Sequence, residues 1–155
     1  MYWRLARGEW ASGKGNRNKG AFQEIIHSGQ KPGVLAYVGK EPVGWCAVAP
    51  REEFVSLRRS RVLKPLDDQP VWSITCLFVK KAFRRTGISI ALLSAAAEFA
   101  AKQGATIVEG YPTTPTMEKT PDPFVFMGLP SAFKAAGFKE VARRSATRPI
   151  MRLEL

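Results

Sequence analysis

The alternation of apolar and polar positions divides the chain into short strand-like runs and one long helical stretch. Phe22, Ile25 and Ile26 recur at helical spacing before Gly29 and Pro32-Gly33, so residues 18–28 are expected to form a short amphipathic helix. Residues 34–38 and 43–49 are rich in β-formers and flank Gly39-Lys40-Glu41-Pro42, which predicts a hairpin. Residues 50–70 are charged and irregular, with a short helix expected around 52–57, where Phe54 and Leu57 would share a face. Across 71–79, Trp72, Ile74, Cys76 and Phe78 form one apolar face while Ser73 and Thr75 leave the other mixed, the pattern of a central strand. Ile88, Ala91, Leu92, Ala95, Ala96 and Phe99 then keep a 3.6-residue period up to Gly104, which predicts a helix over 88–103 with a glycine stop. A strand beginning at 105, a helix over 131–136 closed by Gly137, and terminal strands over 138–144 and 148–155 complete the order. The expected fold class is α/β with a mixed sheet and one βαβ unit.

A chain of 155 residues with 45% apolar content suits a single domain spanning residues 1–155. No apolar run approaches the roughly 20 residues of a membrane span, and Met1-Tyr2-Trp3-Arg4 lacks the apolar stretch of a secretory signal. The cytoplasm is therefore the expected compartment, with no membrane partner. Cys46 and Cys76 lie in apolar runs without CxxC spacing and read as reduced core residues. The net charge of +11 would draw any polyanion, whether nucleic acid, anionic lipid or a phosphorylated cofactor. Arg51, Arg58, Arg59, Arg61 and Lys64 read as a solvated basic face rather than as a pocket lining. Residues 8–15 nearly spell a phosphate-binding loop, but Gly15 stands where a Ser or Thr is needed for Mg²⁺. His27 is the only histidine, so neither a metal site nor a Ser-His-Asp triad is expected. Trp45 and Trp72 fall in strand runs and read as packing residues rather than stacking platforms.

The chemistry concentrates in the turn between the strand at 71–79 and the helix at 88–103. A helix start presents unpaired N–H groups and a partial positive charge, and Gly87 allows close backbone approach, so an anionic oxygen can sit on the amides of residues 85–89. Arg84 and Arg85 add charge-assisted donors. An ordinary basic βα turn would look the same locally. The stretch Arg84-Arg85-Thr86-Gly87-Ile88-Ser89 resembles the Arg/Gln-x-x-Gly-x-Gly/Ala cofactor loop of the GNAT superfamily of N-acetyltransferases, with Ser89 at the last, small position. Leu77-Phe78-Val79 precedes the loop and Ala91-Leu92-Leu93 follows it, as in that family. The hairpin at 34–49 looks like the two strands before the family's cofactor strand, and residues 132–138 are similar to its late helix-to-strand element.

That resemblance implies a GNAT-like acyl-CoA N-acyltransferase fold, acetyl-CoA as cofactor, and transfer of its acetyl group to a primary amine of a small molecule or peptide. It implies that pantetheine lies between the splayed strands 71–79 and 105–111, with the backbone of Leu77 and Val79 facing it around Phe78. An amide there would also stabilise the oxyanion formed as the amine attacks. It implies a departure too: the family often carries a proton-donating tyrosine in the late helix where Phe133 stands here. The acceptor's proton needs a destination, since holding a lysine-like amine neutral at pH 7 costs about 4.6 kcal/mol. Glu109 is the candidate catalytic base, with Tyr111 on the same alternating face, against the alternative that Glu109 pairs with an arginine. Glu52, Glu53, Asp67 and Asp68 compete if the 51–70 segment folds over the site. The proline-rich stretch 112–130 could form a lid or a static cover. A homodimer is left open. The alternative function is a basic nucleic-acid-binding module on a catalytically silent acyltransferase fold, supported by charge but by no recognition motif.

Overall fold

The computed structural model describes residues 1–116 and 121–155, so four residues of the 112–130 stretch, 117–120, lie outside the described residues. Helices α1 (Arg7–Ser12) and α2 (Asn16–His27) precede strands β1 (Gly33–Val38) and β2 (Glu41–Pro50). A single 3₁₀ turn and the short α3 (Val55–Arg58) lead to β3 (Trp72–Val79), α4 (Ile88–Lys102) and β4 (Ile107–Gly110). The chain ends with α5 (Pro130–Ala135), β5 (Lys139–Arg143) and β6 (Pro149–Glu154). The strands form one mixed sheet in the order β1-β2-β3-β4-β6-β5, in which β3 and β4 are the parallel pair. The expected mixed α/β architecture is present, with α4 as the crossover of the βαβ unit.

The sheet separates two apolar layers. On one face Leu92, Leu93, Ala96 and Ala100 of α4 pack on Cys46, Val48, Ile74 and Val108, joined by Phe133 of α5. Each buried leucine contributes roughly 1.5–3 kcal/mol by leaving water. Gly44 permits this approach, because a Cβ there would stand 2.8 Å from a methyl of Leu92. The buried stripe differs from the sequence expectation by a small rotation: Ala91 and Ala95 face solvent, while Leu93, Ala97 and Ala100 are buried. On the other face Phe54, Leu57 and Leu63 from the 51–70 segment cover Ala49, Tyr111 and Ile150.

One further expectation changes. The register between β2 and β3 slips between Ala47 and Val48, so that Thr75 is an extra residue on β3. A bulge of this kind moves every later side chain to the opposite face. Leu77 and Val79 therefore join the α4 layer, whereas Phe78 is 51% exposed rather than part of one continuous apolar face with Trp72 and Ile74. The near phosphate loop at residues 8–15, set aside because of Gly15, has its residues 8–12 in α1 and follows no strand.

Candidate active site

β3 and β4 pair only at Trp72 with Val108, Ser73 with Glu109 and Ile74 with Gly110. Beyond Ile74 the strands diverge, because the bulge at Thr75 turns β3 and β4 ends at Gly110. The predicted cofactor residues stand at this opening and at the helix that follows. Gly87 is the N-cap of α4 with φ 86°, a left-handed conformation, and nothing lies within 4 Å of where its Cβ would be. Arg85 also has a positive φ, 63°. The carbonyl of Gly87 accepts from Ile90 and Ala91 at 3.0 and 3.1 Å, which leaves Ile88 and Ser89 as the first-turn amides with no carbonyl of the helix behind them. Thr86 Oγ1 donates to the Phe83 carbonyl at 2.6 Å, and Arg84 Nε donates to the Val79 carbonyl at 3.1 Å, fixing the turn against the end of β3. Open space over a left-handed glycine, first-turn amides and two arginines together fit a pyrophosphate.

The opening between the strands is bridged by the chain itself. The Leu77 N–H donates to the Phe126 carbonyl at 2.7 Å, and the Thr113 N–H donates to the Gly128 carbonyl at 2.9 Å. The Leu77 amide is therefore already occupied by the Phe126 carbonyl. Phe133 does not stand in the opening with a polar group; its ring is fully buried beneath it. A Cβ on Gly110 would come within 2.0 Å of that ring, and one on Gly128 within 2.9 Å.

Glu109 and Tyr111 lie on the sheet face away from α4, in a buried network. Glu109 is 1% exposed and stands between Ser73 and Arg152 on the neighbouring strands. Its Oε1 accepts from Arg152 Nε at 2.7 Å. Its Oε2 accepts from the Tyr111 hydroxyl at 2.8 Å and from Arg51 Nη1 at 3.3 Å. Arg51 also donates to the Tyr111 oxygen and to the Leu63 carbonyl, while Ser73 Oγ lies 2.8 Å from the same phenol oxygen. Burial, and then the Glu109 carboxylate, hold the Tyr111 hydroxyl above its ordinary range, so it stays protonated and donates. Arg152 reaches Asp67 with two bonds of 2.6 and 2.9 Å, and Arg144 donates to the Lys64 and Pro65 carbonyls, which pins the 51–70 segment onto the sheet. The hydrogen bonds from Arg152 hold the Asp67 carboxyl below its usual value.

Arg51, expected on the solvated basic face, is 6% exposed, whereas Arg58, Arg59, Arg61 and Lys64 are exposed. The physical reason is Glu109, a carboxylate in an otherwise apolar strand that needs a cation within reach. Trp45 is likewise not in the core but half-buried on the face away from α4, edge-on to Phe22 at 6.0 Å. Cys46 is buried and Cys76 half-buried, both unpaired, and burial pushes both thiols up. Among the described residues no helix is long and apolar enough to cross a membrane.

Comparison with protein families matches residues 2–116 to the acetyltransferase (GNAT) family. The chain belongs to that family, whose general reaction is acetyl-CoA-dependent transfer of an acetyl group to an amine. Among solved structures it is similar to the PaiA N-acetyltransferase from Thermoplasma acidophilum in complex with coenzyme A, at 16% identity and TM-score 0.56, covering 96% of this chain and 77% of that one. It is similar to a ribosomal-protein-alanine N-acetyltransferase from Brucella melitensis, at 14% identity and TM-score 0.56, covering 89% and 76%. A third similar structure is the aminoglycoside acetyltransferase AAC(6')-Ib in complex with coenzyme A and kanamycin, at 17% identity and TM-score 0.51, covering 77% and 64%. At these identities the structures establish the shared fold. A sequence search of curated proteins gives no match.

Proposed function

We propose that this chain transfers the acetyl group of acetyl-CoA directly to a primary amine of a small molecule or peptide. The observation that carries the reading is the turn at residues 84–89, where a left-handed Gly87 caps a 15-residue helix beside the opening of β3 and β4. The amides of Ile88 and Ser89, with Arg84 and Arg85, would hold the pyrophosphate, and the β3 backbone at Leu77 to Val79 would hold the pantetheine. Acetyl-CoA supplies an activated thioester: the amine forms a C–N bond to the acetyl carbon, the C–S bond breaks, and the sulfur leaves as thiol after taking a proton.

The residues of this chain bind, orient and exclude water. The Leu77 N–H aims into the opening, and a donor in that position polarises a carbonyl once the Phe126 oxygen gives it up. Glu109 is the fixed negative centre of the network on the opposite face. Both of its oxygens are already held by donors, two of them guanidinium groups, so in this reading Glu109 is a counter-charge and the amine proton passes to solvent. Cytoplasmic location belongs to the same reading, with a free amine and acetyl-CoA meeting in one compartment. The test is an acceptor screen that follows thiol release from acetyl-CoA across amino acids, polyamines, aminoglycosides and peptide amines. Amine-dependent release that falls in Gly87→Val supports the reading; binding of acetyl-CoA with no release from any amine refutes it.

A further inference from the structure

On the sheet face away from α4, where β3 bends at Thr75, a cavity of about 280 Å³ opens toward solvent. Its walls are aromatic: Tyr2, Trp3, Phe22, Trp45, Phe54 and Phe126. Edge-to-face contacts fix them, Tyr2 against Trp3 at 5.0 Å and Phe22 against Trp45 at 6.0 Å. Thr75 and Cys76 form its floor, so it ends one residue short of Leu77, whose amide faces the proposed cofactor opening. The carbonyl on that amide belongs to Phe126, whose residue also lines the cavity.

The polar content of the cavity is one-sided. No Asp or Glu lines it among the described residues. A polyamine or aminoglycoside would bring several cations into aromatic walls with no carboxylate to meet them. Arg4 stands in the wall, its side chain 10% exposed, with Nη1 on Glu53 and the guanidinium 4.9 Å over the Phe54 ring. Its Nη2 and the Trp3 Nε1 are buried donors without a partner. Buried donors of this kind are costly unless an acceptor arrives.

We propose that this cavity binds the acceptor, and that the acceptor is an aromatic α-amino acid: one or two rings for the walls, a carboxylate for Arg4, and the α-amine directed at the floor next to Leu77. The inference rests on the reading of the chain as an amine acetyltransferase and names the substrate class of that site. Thiol release is compared for tryptophan, phenylalanine, tryptamine, phenethylamine, spermidine and kanamycin, with calorimetry of tryptophan added to protein already saturated with coenzyme A. The amino acids should turn over, with KM at least about ten-fold below their decarboxylated amines, the scale of one charge-assisted hydrogen bond. Arg4→Gln should erase that difference. Trp45→Ala should raise KM for tryptophan about ten-fold without changing acetyl-CoA affinity, and Trp45→Phe should restore most of it, which separates a lost wall from a lost fold. Turnover of spermidine or kanamycin that Trp45→Ala leaves unmoved overturns the substrate class while sustaining the acetyltransferase reading. Absence of heat with tryptophan overturns the cavity assignment whatever the turnover.

Discussion

Glu109→Gln separates a proton acceptor from a structural counter-charge. The substitution keeps shape but replaces one carboxylate oxygen with an amide that cannot accept from Arg51 and Arg152 as the carboxylate does. Arg152 retains Asp67, but Arg51 has a side chain only 8% exposed and its Nε already lacks a partner. Removing one member of a buried ion pair costs about 3–5 kcal/mol, since a charge is left without compensation. For a domain of this size that corresponds to a fall in melting temperature of roughly 6–20 °C. Urea unfolding of wild type, Glu109→Gln, Arg51→Met and the double variant measures the coupling, and kcat/KM against pH is recorded well below the melting point. The account expects a large loss of stability, a double variant less destabilised than the two singles combined, and an unchanged shape of the pH profile. Stability within about 1 kcal/mol of wild type, with the low-pH limb of the profile displaced, would show that Glu109 takes the proton and that the network reading is mistaken.

Asp67 has a folded pKa depressed by Arg152, so its contribution to stability is present above the unfolded value near 3.9 and is lost as pH falls through the folded value. Asp67→Asn should lower the melting temperature at pH 7 and narrow the gap from wild type at pH 3; an equal gap at both would refute the linkage. Gly110→Ala drives a Cβ into the Phe133 ring and should cost roughly 1–3 kcal/mol in urea unfolding, with no such loss for Gly8→Ala, where a Cβ meets nothing within 4 Å and φ is not positive. At Gly87 a Cβ meets nothing within 4 Å, so Gly87→Val acts through its left-handed φ and should disturb the turn, with Kd for acetyl-CoA rising about ten-fold or more by calorimetry while α4 persists by circular dichroism.

What the sequence disclosed follows from the range of the interactions concerned. α4 was legible because its period is local and its ends carry glycines, and the turn at 84–89 because charge, glycine and helix start are adjacent in the chain. α1 was missed because six residues with a glycine at the second position, followed by Gly13 and Gly15, carry little period. The bulge at Thr75 left no mark, since Leu77 and Val79 are as apolar as Cys76 and Phe78 and either parity fits the end of β3. Glu109 announced that a buried carboxylate would need a cation, but the choice of Arg51, 58 residues earlier, and Arg152, 43 residues later, depends on strand register. The aromatic cavity was hidden for the same reason: Tyr2, Phe22, Trp45 and Phe126 meet only once α1, α2 and the 121–128 segment lie over the sheet.

On the proposed function, the turn at 84–89 and the opening beside β3 hold acetyl-CoA. Calorimetric titration of acetyl-CoA, paired with the melting temperature, tests it without knowledge of the acceptor. The account predicts one saturable site per chain and, at about 100 times Kd, a stabilisation of about 2.7 kcal/mol, or roughly 5–11 °C. Arg85→Ala should weaken both signals by removing a phosphate donor. No heat and an unmoved melting temperature at millimolar acetyl-CoA would contradict the account.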